Sequence, residues 1–98
     1  MSSEFSPSAI GRRLRFLRET KGFKHQTLMA KLMVVSQSRY SNWENGIGVI
    51  PVEFAIKMCG LTGATLDFIY TGNRSSLPMH LLSAFNDAPA GLLGKVDE

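Results

Sequence analysis

Apolar residues recur at helical spacing along most of the chain, and glycine, serine and proline break the pattern at short intervals. Ile10, Leu14 and Leu17 stand at i, i+4 and i+7, which predicts a helix with one apolar stripe. Ser6 is placed to cap it, Pro7 suits its first turn, and Gly22 ends it with Lys21 in the last turn. A second helix is predicted over about 26–33, with Leu28, Met29, Leu32 and Met33 inward and Ala30 small enough for close contact. His25 or Lys24 stands where Ser or Thr would cap it better. Ser36 caps a third helix over 37–45, and Gly46 stops it. Pro51 is expected as the first residue of a fourth helix, about 51–60, with Phe54, Ala55 and Met58 buried and Gly60 and Gly63 bracketing its end. Thr65 caps a short fifth helix, 66–70, closed by Gly72.

No stretch reads as a strand and no internal repeat is present, so the fold class is all-α: a compact five-helix bundle with a short extra C-terminal helix over 79–85. The chain divides into a loose start (1–5), a folded domain (6–72) and a linker or tail (73–98) that carries a candidate dimerisation segment. About three residues separate the second and third helices, which is helix-turn-helix spacing.

The third helix carries the chemistry. At 100° per residue, Gln37, Ser38, Ser41, Asn42 and Asn45 fall within one arc of about 140°. Tyr40 and Trp43 fall on the other side and should dock the helix on its neighbours. A solvent-facing helix more commonly carries Glu and Lys, which pair at i, i+4. Amides donate and accept together and match the adenine edge in the major groove, while a hydroxyl serves either role. These groups can read bases without repelling phosphate.

Charge sharpens this picture. From Arg12 to Arg39 eight cations (Arg12, Arg13, Arg15, Arg18, Lys21, Lys24, Lys31, Arg39) face one carboxylate, Glu19, so the segment is +7. The whole chain is +3, which leaves −4 for the rest. Such asymmetry suits a polyanion partner, held without regard to sequence.

At these residues the chain resembles the phage repressor and Cro type of helix-turn-helix domain, a five-helix DNA-binding module also described as xenobiotic-response-element-like. The resemblance runs over residues 10–72 and rests on Arg18 before Gly22, Gln26, Ala30, the run Ser36-Gln37-Ser38-Arg39-Tyr40-Ser41-Asn42-Trp43-Glu44-Asn45-Gly46, and Leu66 to Gly72. It implies that Gln37, Ser38, Ser41 and Asn42 face base edges of double-stranded DNA. It further implies that Gln26, Arg39 and Asn45 touch the backbone, and that Arg18 and Glu44 form an ion pair between the first and third helices. Three departures stand out. Val34 fills a turn position often held by glycine, so a reshaped turn is expected. The connection from Gly22 to Gln26 is one residue longer than usual. The loop Ile47-Gly48-Val49-Ile50 lacks the basic residues that many relatives place there.

Other signals are weak. His25 and His80 are isolated, and Cys59 reads as a core residue; no metal, no cofactor and no enzyme activity is expected. One cysteine forms no internal disulfide, no apolar run approaches a membrane span, and MSSEFSPS is no secretory signal, so the expected location is cytoplasmic. The expected function is a sequence-specific transcriptional regulator, a repressor of prophage or bacterial type, acting as a homodimer on two half-sites about one helical turn apart. The fifth helix and residues 77–93, where Leu77, Leu81, Leu82, Phe85, Leu92 and Leu93 are otherwise hard to bury, are candidates for the dimer contact. The alternative is an antitoxin-type module that also binds a toxin through its tail or through residues 47–50. A third reading makes the chain the N-terminal part of a longer repressor.

Overall fold

Local chemistry starts most of the helices. The structure is a computed structural model and describes residues 5–87. It holds α1 (Pro7–Thr20), α2 (Gln26–Met33), α3 (Gln37–Glu44), α4 (Val52–Thr62), α5 (Leu66–Thr71) and α6 (Met79–Asp87), with no strand among the described residues. The fold is all-α, as expected. Ser6, Ser36 and Thr65 cap α1, α3 and α5 by accepting from the backbone N–H of Ala9, Arg39 and Phe68. His25 precedes α2 without a side-chain cap bond, in line with its poor capping chemistry.

Both ends of α4 differ from expectation. Pro51 is the N-cap of α4 and not its first residue, with extended backbone (φ −65°, ψ 151°). Gly60 does not end α4; the helix runs on to Thr62, whose hydroxyl donates to the Met58 carbonyl. Gly63 then ends it in the left-handed region at φ 85°.

The core gathers on α1, which packs against α3, α5 and α6. A one-sided stripe was expected there, yet Ala9, Ile10, Leu14, Phe16 and Leu17 are all buried. Phe16 explains part of the difference. Its ring lies 6.1 Å from that of Phe68 on α5 and 5.7 Å from that of Phe85 on α6, and Phe68 and Phe85 meet edge-on at 5.9 Å. Leu77 and Leu81 are buried in this same core, while Leu82 and Phe85 are half-buried against it. Their assignment to a dimer contact rested on their having nothing to pack on, and that ground is gone. Leu92 and Leu93, residues 1–4 and the tail from residue 88 lie outside the described residues. Among the described residues no helix is long and apolar enough to cross a membrane.

Gly11 places α3 on α1. A Cβ there would stand 2.6 Å from the Trp43 carbonyl oxygen and closer still to that of Glu44, so the two backbones touch and no larger residue fits.

The turn between α2 and α3 keeps its left-handed residue in spite of Val34. Val34 has φ 60° and ψ 52°; its N–H donates to the Lys31 carbonyl, and the Val35 N–H reaches back to that of Ala30. This is the double bond pattern that glycine normally closes. The two hydrogen bonds hold the turn, and the valine side chain escapes the core by facing solvent at 77% exposure. A β-branched residue in this region costs about 1–3 kcal/mol. Val34→Gly removes that strain, and the added freedom of glycine in the unfolded chain offsets about 0.5–1 kcal/mol. The variant should be more stable by about 1 kcal/mol and melt about 4–8 °C higher. A calorimetric melting temperature at or below that of the parent would contradict this account of the turn.

Candidate nucleic-acid interface

The carboxylate of Glu44 organises the surface around α3. Although nearly buried, it accepts four hydrogen bonds. Arg18 Nε donates to Oε2 at 2.8 Å and Arg18 Nη2 to Oε1 at 3.1 Å. Gln26 Nε2 donates to Oε1 at 3.0 Å, and the Tyr40 hydroxyl to Oε2 at 2.6 Å. The Arg18–Glu44 pair implied by the resemblance is therefore present, as a buried two-pronged contact. The remaining Arg18 nitrogen, Nη1, donates to the carbonyls of Phe23 and Lys24, each at 2.8 Å. One guanidinium thus holds the end of α1, the approach to α2 and the base of α3.

Titration behaviour follows from this packing. Burial opposes the charge on Arg18, but the hydrogen bonds and charge of Glu44 outweigh it and lift its pKa above the ordinary value. Burial, then the charge and hydrogen bond of Glu44, push the Tyr40 hydroxyl far above the usual phenol range, so it stays a neutral donor.

With Tyr40, Trp43 and Glu44 turned inward, α3 presents Gln37, Ser38, Asn42 and Asn45 to solvent, and Ser41 is half-buried. Asn45 caps the helix end and its amide donates to the Ser41 hydroxyl at 3.2 Å. The Thr27 hydroxyl donates to the Gln37 amide oxygen at 3.3 Å. These bonds hold part of the polar face in place before any ligand arrives. Thr27 did not emerge from the sequence, because its partner lies ten residues away across the turn.

Beside this face lies a cleft of about 370 Å³. Arg15, Lys24 and His25 line its basic side, and Gln26, Thr27, Gln37 and Asn45 its polar side; Arg18 and Glu44 also reach it. The uncapped N-terminus of α2 opens here, and a helix start without a side-chain cap favours an anion. Gln26 is the first residue of α2 and lines the cleft, although one of its amide N–H groups is already given to Glu44. Arg39 lies elsewhere: its guanidinium carbon stands 5.4 Å from the Trp43 ring centroid and 5.2 Å from that of Phe54 on α4.

Less of the basic segment is available than the sequence suggests. Arg13 is buried and donates from Nη1 to the Ile69 carbonyl at 2.9 Å, near the end of α5. With Arg18 it belongs to the scaffold. Arg15, Lys21, Lys24, Lys31 and Arg39 are exposed.

Two helices joined through a left-handed turn, with a polar second helix beside a basic cleft, define a helix-turn-helix unit. A family model described as a helix-turn-helix domain matches residues 9–67. The chain belongs to this family of DNA-binding domains. No curated protein and no solved structure shows a significant match to it.

Two outcomes are expected from the Glu44 network. Arg18→Met leaves a buried carboxylate without its counter-charge and should cost about 3–5 kcal/mol in urea unfolding. Adding Glu44→Gln should recover part of that loss, and strictly additive losses would show that the pair is not coupled. The second concerns pH. The unfolded chain releases the Tyr40 proton above about pH 10, whereas the folded chain keeps it. The stabilisation is complete below pH 10 and is lost above it, by about 1.4 kcal/mol per pH unit. Tyr40→Phe should show a correspondingly shallower decline between pH 9 and 11; parallel curves would count against a buried neutral phenol.

Proposed function

We propose that the chain is a sequence-specific transcriptional regulator, a repressor of the prophage or bacterial type, that reads the major groove with α3. The single observation that carries this reading is the exposed face of Gln37, Ser38 and Asn42 on a helix clamped from behind by the buried Arg18–Glu44 pair. Uncharged amides and hydroxyls on a fixed helix gain discrimination from bonds that a wrong base leaves unmade. The cleft with Arg15, Lys24 and the start of α2 supports a backbone phosphate contact beside them. Gln26 and Asn45 take part there, and Ser41 helps to orient Asn45. A single module spans few base pairs, so the active form is a homodimer on two half-sites about one helical turn apart. The role is one of binding, in the cytoplasm, without catalysis or cofactor.

A second reading, an antitoxin-type module that also masks a toxin, draws support from the exposed Ile47, Val49, Val52 and Ile56. Ile50 offers nothing to such a partner: it is buried, and its carbonyl accepts from the Tyr70 hydroxyl at 2.6 Å.

Selection of bound duplexes from a random DNA pool at two salt concentrations tests the first reading. A two-fold palindrome should be enriched, and Gln37→Ala or Asn42→Ala should relax it at one position by about 1–3 kcal/mol. Binding with no enriched sequence and a steep fall with salt would mean that the basic surface only grips phosphate. A one-chain mass in gel filtration at high concentration would overturn the dimer.

A further inference from the structure

The Phe54 ring carries two cations that come from different helices. The Arg39 guanidinium carbon and the Lys57 ammonium nitrogen each stand 5.2 Å from its centroid. The two charges are thus no further apart than twice 5.2 Å, a distance at which like charges repel. The negative face of the ring offsets part of that repulsion. Neither cation has a carboxylate partner among the described residues, where the ion pairs are Arg15–Glu19, Arg18–Glu19 and Arg18–Glu44. Glu53 stands one turn before Lys57, the spacing at which such pairs close. Lys57 instead donates to the Met33 carbonyl at 3.0 Å and lies on the ring. Arg39 makes no side-chain hydrogen bond to a described residue, which leaves its N–H donors open to a ligand. Both cations are exposed, whereas Phe54 is buried and packed on Trp43 at 5.3 Å, so the ring is a fixed base.

We propose that Arg39 and Lys57, seated on Phe54, form a second grip on the DNA backbone. This rests on the reading of α3 as the groove-reading helix. Arg39 lies about 200° around α3 from Gln37, away from the cleft beside α2. Phosphates recur about every 3.4 Å of axis along one strand, so two cations within that limit can meet one phosphate or neighbouring ones. The loop 47–50 between these helices supplies no cation of its own. With the cleft on one side and this pair on the other, α3 is held from both flanks. Phe54 acts as a positioning residue through Arg39 and Lys57.

The test is equilibrium binding of the full chain to its selected duplex, and to random-sequence duplex, across a salt series. Arg39→Gln and Lys57→Gln should each reduce the slope of log affinity against log salt by about one, without changing the selected sequence. Phe54→Tyr should keep affinity and slope, whereas Phe54→Leu, which retains both charges, should bind more weakly. A role in folding alone moves the melting temperature and leaves the slope where it was. If both surface variants keep the parent slope, the grip is overturned, whatever Phe54→Leu does to folding. If the parent selects no sequence, the reading helix fails, and the random-sequence slopes still judge the grip. If the parent binds no DNA, both fall.

Discussion

The rest of the structure depends on how one buried carboxylate is satisfied. Apolar packing is non-directional, and short helices packed by it alone can rotate or slide. Glu44 removes that freedom, because its bonds come from α1, from the first residue of α2 and from within α3. A buried charge is tolerated only when it is paired and hydrogen-bonded. Any shift of α3 that broke one of these contacts would leave an unpaired group. The network is therefore as much a statement about orientation as about stability. Gly11 completes it, since backbone contact there sets how close α1 and α3 lie.

This arrangement divides the cations into two kinds. Arg13 and Arg18 spend their charge inside the fold, on the Ile69 carbonyl and on Glu44. The exposed cations remain for a polyanion, and they are not spread evenly. Arg15 and Lys24 gather at the cleft, while Arg39 and Lys57 gather on Phe54. The same guanidinium chemistry is tied up in packing at one position and left open to solvent at another, and burial decides which.

Much of this was legible in the chain itself, for physical reasons that differ by residue. Ser6, Ser36 and Thr65 cap their helices by contacts three residues away, so local sequence suffices. Tyr40 and Trp43 had to face inward because their size leaves them few alternatives. Pro51 was misplaced by one position because its fixed φ suits an N-cap as well as a first turn. Val34 was expected to reshape the turn, but the two backbone hydrogen bonds that close α2 overrode its backbone preference. The Arg18–Glu44 pair spans 26 residues and emerged only through family resemblance. Thr27, Gly11, Phe16 and Lys57 carried no local signal, since each acts on an element distant in sequence.

The opposite limits also explain why α3 has its unusual composition. It has only eight residues, too few for an isolated helix to persist in water, and Ser and Asn are mediocre helix formers. Its helicity is imposed from outside by the Ser36 cap, the two buried rings and Glu44. Once the fold guarantees the helix, its outer positions are released from the need for strong helix formers such as Ala, Glu or Lys. They are free to be Gln, Ser and Asn, whose value lies in what they donate and accept. A scaffold that fixes the helix by its inner face is what makes an uncharged, weakly helical outer face affordable.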